Sequence, residues 1–120
     1  MYIADIKVED KECTIFVSGC NHTCDCDSKY REFGVGKYMQ VDDIIQELQN
    51  KVFDTLTITG GDLLCQPLGE AIRTAADLRL KYPHIDMTLY TGIKGRIPRW
   101  AYQYFDNVKK CKPKGEKNGN

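Results

Sequence analysis

A chain of 120 residues, 42% hydrophobic and 28% charged, has room for one domain with a modest core and none for a second. Its seventeen basic and seventeen acidic side chains cancel, which removes the electrostatic case for non-specific binding to nucleic acid or to an anionic membrane surface. The opening Met1-Tyr2-Ile3-Ala4-Asp5-Ile6-Lys7 carries neither a basic segment nor an apolar run, and no later run approaches the roughly twenty apolar residues of a membrane span, so a soluble cytoplasmic protein is expected.

Taken in chain order, Cys13-Thr14-Ile15-Phe16-Val17-Ser18 is β-branched and apolar, and reads as a buried strand that ends at Gly19 and feeds a loop. Cys20, Cys24 and Cys26 fall in that loop. Residues 27 to 39 are polar and contain Gly34 and Gly36, which predicts an irregular connection. From Asp42 the apolar residues Ile44, Ile45, Leu48 and Val52 recur at helical spacing, with Asp42 or Asp43 placed to favour the positive end of a helix. Thr55-Leu56-Thr57-Ile58-Thr59 is a second strand that stops at Gly60-Gly61. After Pro67, the positions Leu68, Ile72, Ala75, Ala76 and Leu80 trace a second helix, which Tyr82-Pro83 ends. Asp86-Met87-Thr88-Leu89-Tyr90 is a third strand closed by Thr91-Gly92. A short helix over Pro98–Phe105 and a brief fourth strand over Asp106–Lys109 complete the pattern. The division expected is a single domain over residues 1–111 and a polar, basic tail over 112–120, whose lysines lack the interleaved aromatic residues of a nucleic-acid binder.

Strands alternating with helices imply an α/β fold with right-handed crossovers, a mainly parallel sheet, and ligand chemistry at the carboxyl ends of the strands. The cysteine loop follows the first strand and Gly60-Gly61-Asp62 follows the second, so both belong on one edge of the sheet.

Six cysteines in a reducing compartment point to metal ligation or redox chemistry before disulfides. In Gly19-Cys20-Asn21-His22-Thr23-Cys24-Asp25-Cys26 three soft thiolates lie within seven residues, a donor set suited to iron or zinc. Three cysteines also leave one metal of a four-iron cubane without a protein ligand, open to the oxygen and nitrogen atoms of a cofactor. Cys13, Cys65 and Cys111 are scattered and read first as small buried thiols, although Cys65, three residues beyond Asp62, is also a candidate auxiliary thiol. His22 reads as a loop hydrogen-bonder, His84 as a turn residue, and Trp100, Tyr102, Tyr104 and Phe105 as core packing.

The string Phe16-Val17-Ser18-Gly19-Cys20-Asn21-His22-Thr23-Cys24, followed by Cys26 and Asp27-Ser28-Lys29-Tyr30, resembles the cluster loop of radical S-adenosylmethionine (SAM) proteins, and among them the family that activates anaerobic ribonucleotide reductase. Leu56-Thr57-Ile58-Thr59-Gly60-Gly61-Asp62 is similar to that family's strand and glycine-rich turn, and Leu89-Tyr90-Thr91-Gly92 to its next strand end, so the correspondence runs over roughly residues 13 to 110. The resemblance implies a small partial (β/α) barrel of radical SAM type. It implies that Cys20, Cys24 and Cys26 hold a 4Fe-4S cluster whose open iron is chelated by the amino and carboxylate groups of SAM. By the same resemblance Gly60 and Gly61 let backbone approach the methionine part of SAM, and Asp62 accepts a hydrogen bond from its ammonium group. Reductive cleavage of SAM would give methionine and a 5'-deoxyadenosyl radical that takes hydrogen from a glycine of the partner enzyme. The implied partners are the large subunit of anaerobic ribonucleotide reductase and a flavodoxin-like or other low-potential electron donor, with neither nucleic acid nor membrane.

The chain departs from the family pattern at two positions. Only Asp25 separates Cys24 from Cys26, one residue fewer than the family spacing, which shortens the reach of the loop by up to ~3.5 Å. The third ligand is then Cys26 or, counted from Cys24 at the family spacing, Asp27, and the Asp27-Ser28-Lys29-Tyr30 that follows favours Cys26. Leu63 stands where the family has proline after its acidic residue, and the chain is shorter than typical activating proteins. Three readings stay open: the activating enzyme, another small radical SAM enzyme that modifies a nucleoside or peptide, and a non-catalytic scaffold of the same fold.

Overall fold

Side chains alternate between buried and half-exposed along the central strands, and that alternation decides how the layers stack. The computed structural model describes residues 1–20, 30 and 32–110. In chain order the elements are β1 (Tyr2–Glu9), β2 (Glu12–Val17), β3 (Lys37–Tyr38), α1 (Val41–Glu47), β4 (Thr55–Gly60), a 3-10 turn (Leu63–Cys65), α2 (Leu68–Lys81), β5 (Asp86–Thr91), α3 (Arg99–Tyr104) and β6 (Asn107–Lys110). Among the described residues the six strands form one sheet in the order β3-β1-β2-β4-β5-β6. β1 runs antiparallel to both its neighbours, whereas β2, β4, β5 and β6 are parallel, so the fold is mixed α/β with a mostly parallel sheet.

Register puts Cys13, Leu56 and Met87 in one row across β2, β4 and β5, and Ile15, Ile58 and Leu89 in the next. All six are buried, and because a strand's side chains alternate between faces, they share one face. Val41, Ile44 and Leu48 around α1, Ala71, Ala75 and Leu78 of α2, and Ala101 of α3 join the same apolar cluster, so the helices cover that face. Ala71 and Ala75 of α2 are almost wholly buried in this layer. The opposite face, with Thr14, Phe16, Thr57, Thr59, Thr88 and Tyr90, is only half-buried. Parallel sheets are ordinarily covered on both sides, which makes this polar, threonine-rich face an unusual feature of the molecule.

β1 was not anticipated from the sequence, and its register explains why. Ile3 pairs with Val17, Ile6 with Ile15 and Val8 with Cys13, but the register slips between Ile3 and Asp5. The extra residue, Ala4, separates the inward Ile3 from the inward Ile6 by three positions, and the period-two signal is lost. A two-residue loop, Asp10-Lys11, with φ of 51° and 65°, turns β1 into β2 in the left-handed pattern of tight hairpins.

The helix beginning near Asp42 is shorter than its apolar spacing predicts. The Asp43 carboxylate accepts the Gln40 backbone N–H at 3.0 Å, closing a capping box, but the helix stops at Glu47 and Val52 is 77% exposed. α2 begins after Pro67 and ends before Pro83, as the two prolines require. At the amino ends of β5 and β6, Arg79 of α2 donates from Nε to the Tyr104 carbonyl at 3.0 Å and from Nη1 to the Ile85 carbonyl at 2.9 Å. Its Nη2 meets Asp106 Oδ2 at 2.5 Å, and the same oxygen accepts the Met87 N–H at 2.8 Å. No described helix is long and apolar enough to cross a membrane.

Candidate metal centre

Val17 and Gly60 pair at the carboxyl ends of β2 and β4, and beyond them both segments leave the sheet. Gly60 has φ of 94°, a left-handed conformation that side chains resist, and it turns the chain back toward β2. A Cβ on Gly61 would lie 2.5 to 2.8 Å from backbone atoms of Gly19, so only glycine permits the approach. That approach is used at once: the Gly61 N–H donates to the Val17 carbonyl at 2.6 Å and the Asp62 N–H to the Gly19 carbonyl at 2.9 Å. The root of the cysteine loop and the glycine turn are therefore joined backbone to backbone.

Two side chains lock the joint. Gln66 donates from Nε2 toward the carbonyls of Ser18, Gly19 and Asp62 at 3.1, 3.2 and 3.0 Å, and so spans both loops. Asp62 is completely buried. Its Oδ1 accepts the Leu64 N–H at 3.0 Å, while Oδ2 accepts the Thr91 hydroxyl and the Gly92 N–H, each at 2.8 Å. Asp62 thus starts the 3-10 turn and ties the end of β4 to the end of β5. Leu63, at the position where proline was expected, is 1% exposed and belongs to the core, so packing holds the turn there.

Of the residues singled out from the sequence, Cys20, Gly60, Gly61 and Asp62 meet at this edge. Cys24, Cys26, Asp27, His22, Cys111 and the tail 112–120 lie outside the described residues. Cys65 closes the 3-10 turn beside them, half-buried, with its N–H donating to the Asp62 carbonyl at 3.1 Å. The ligand atoms of Cys20, Asp62 and Cys65 all lie within 4.8 Å of one another. Cys13, by contrast, sits deep in β2, and burial pushes its thiol up to about 12, which keeps it protonated and unreactive at neutral pH. His84 is exposed in the turn before β5. Sequence reasoning missed Gln66 and the part played by Thr91, because no local pattern distinguishes a glutamine whose partners lie 47 and 48 residues away.

Chemically, the edge presents soft sulfur donors beside a buried carboxylate on a backbone that its own hydrogen bonds hold in place. Such donors suit thiophilic metals, iron and zinc among them, and not calcium or magnesium.

Comparison with known proteins bears on which metal group this is. The chain matches the model of the 4Fe-4S single cluster domain family over residues 9–97, a span that contains β2, the cysteine loop, the glycine turn and β5. It is also similar to the anaerobic ribonucleoside-triphosphate reductase-activating protein of Haemophilus influenzae, with 33% identity over 98 residues. That alignment covers 74% of this chain and 63% of the relative's length.

Proposed function

This chain belongs to the 4Fe-4S single cluster domain family, and on that premise we propose that it is a radical SAM activating protein: it holds one 4Fe-4S cluster through Cys20, Cys24 and Cys26, cleaves SAM reductively, and so installs a glycyl radical on anaerobic ribonucleotide reductase. The observation that carries this reading is the backbone joint from Gly61-Asp62 to the Val17 and Gly19 carbonyls, which sets Cys20 beside the glycine turn on one strand edge. The soft thiol of Cys20, at the root of that loop, fits an iron–sulfur group. When bound, the cluster supplies a low-potential electron and an iron site for the amino and carboxylate groups of SAM.

In this reading the residues of the chain bind and orient. Cys20 would hold one iron, and Gln66 and Asp62 fix the backbone before it through the Ser18 and Gly19 carbonyls. The turn Gly60-Gly61-Asp62 receives the methionine end of SAM, and Asp62 keeps Thr91 and Gly92 in register with it. The half-buried threonine face, with Thr57, Thr59 and Thr88, offers hydroxyl groups to the remainder of the ligand and forms the inner wall of a partial (β/α) barrel. The large subunit of the reductase docks over this edge, a flavodoxin-like or other low-potential donor delivers the electron, and the working domain spans residues 1–111 in the cytoplasm.

Low-temperature electron paramagnetic resonance of the anaerobically reconstituted, reduced protein tests the reading, with and without SAM. The expected result is a 4Fe-4S signal that SAM perturbs and that Cys20→Ala and Cys26→Ala each abolish. Absence of a cluster in the wild type, under conditions that load an ordinary activating protein, would overturn it in favour of a non-catalytic scaffold.

A further inference from the structure

Cys65 has no part in the three-cysteine ligand set, yet its sulfur lies within 4.8 Å of the Cys20 sulfur and of an Asp62 carboxylate oxygen. We propose that Cys20, Asp62 and Cys65 form a second metal site that holds one thiophilic divalent cation of the zinc class in the cluster-free chain, and that this ion must leave before Cys20 joins the cluster. The second half of the proposal rests on the cluster reading above; the first half does not.

Distance separates a single ion from a cubane. Two thiolates bound at about 2.3 Å to one tetrahedral ion stand about 3.8 Å apart and never more than about 4.6 Å. In an iron–sulfur cubane each cysteine takes its own iron, and the thiolates are spread around the cluster. A pair already within 4.8 Å needs to close by at most about 1 Å to share one ion.

The frame around the pair is built to hold such a spacing. Cys20 follows directly on Ser18-Gly19, and Cys65 directly precedes Gln66, whose amide bridges back to those same two carbonyls. Hydrogen bonds from Leu64, Thr91 and Gly92 orient the Asp62 carboxylate, as outer-shell partners orient a ligating carboxylate at a metal. Two sulfurs and one oxygen select a zinc-class ion over calcium or magnesium and leave a fourth position for water. A Cys20 sulfur held on that ion is withheld from iron, so the two sites exclude each other.

Cobalt(II) titration of the full chain, reduced and stripped of metal, reads the site through thiolate-to-cobalt absorption, with zinc displacing the cobalt. One ion per chain is expected, with binding at least about tenfold weaker in both Cys65→Ala and Cys65→Ser, and retained when Cys26 is replaced by alanine. Circular dichroism checks that each variant is folded. No stoichiometric binding by the folded wild type overturns the proposal, and so does binding that survives both Cys65 variants but is lost on replacing Cys26. The competition is tested by iron–sulfur reconstitution with and without one equivalent of zinc. Zinc is expected to slow loading in the wild type and to have no such effect in Cys65→Ala; equal rates with and without zinc in the wild type overturn it. Failure to form a cluster even without zinc would sink the proposed function while leaving the cobalt result to judge the ion site.

Discussion

At the amino ends of β5 and β6 the side-chain ties are the Arg79 guanidinium, with its partner Asp106, and the exposed Asn107 amide, whereas at the carboxyl ends of β2, β4 and β5 they are one glutamine and one buried carboxylate set on backbone bonds between the two loops. The Arg79–Asp106 pair is partly exposed, with 21% and 49% of the two side chains accessible. Water screens such a pair, so its contribution lies mainly in the carbonyls that Arg79 satisfies. Asp62 is completely buried, and the Thr91 hydroxyl and Gly92 N–H bonds that it accepts are buried with it, so their loss is not made good by water. One edge thus secures the frame with solvent-facing polar groups, and the other secures the candidate site with buried hydrogen bonds. Damage to the two edges is expected to separate into loss of stability alone and loss of stability together with metal binding.

The largest effect is expected at Asp62. Asp62→Ala strands the Leu64 and Gly92 N–H groups and the Thr91 hydroxyl, and should cost about 3–5 kcal/mol in urea unfolding. A loss below about 1 kcal/mol would mean that the carboxyl edge is held by something else. Arg79→Ala should cost about 2–3 kcal/mol while leaving cobalt or cluster content per folded chain unchanged, and a matching fall in metal content would erase the contrast between the edges. Gln66→Ala should cost only about 1–2 kcal/mol, yet weaken cobalt binding, because it loosens the joint between Ser18-Gly19 and the 3-10 turn. Unchanged affinity in that variant would show that the glutamine only supports the fold.

Acid supplies the smallest and most selective probe. Asp106 lies below the ordinary aspartate range, chiefly because the Met87 N–H donates to it; desolvation opposes this and Arg79 reinforces it. A depressed folded-state value contributes stability above the pH at which an unfolded aspartate titrates, about 4, and that contribution disappears as the pH falls through the folded value. The stability gap between wild type and Asp106→Asn should therefore be widest near neutral pH and narrow on acidification. A gap of constant size from about pH 7 to about pH 2 would show that Asp106 does not titrate as part of this contact.

How far the sequence reveals this molecule depends on whether a signal is local. β4, β5 and α2 are bounded by glycine or proline and carry clean periodicity, and they lie within a residue or so of their expected positions. β1 is hidden by its own bulge at Ala4, and β3, at two residues, is too short to hold a period. α1 ends at Glu47, and Val52, although correctly spaced, lies beyond it and is exposed. At the candidate site the glycine turn and Cys20 were legible as a motif. Their junction through Gln66, and the distance from Cys65 to Cys20, exist only once β2 and β4 pair, which no window of sequence contains.

The strand order carries a consequence for how the chain is made. Apart from the small β3, each strand after the β1–β2 hairpin adds to the edge formed by the strand before it, with one helix closing each crossover. In the direction of synthesis each of these strands finds its neighbour already made: β4 meets β2 across 37 intervening residues, and β5 and β6 meet theirs across 25 and 15, so the β2–β4 crossover carries the largest loop-closure cost. Assembly in the direction of synthesis would bring Cys20 and Cys65 together before α2 is complete, so the candidate site takes shape early in the life of the polypeptide.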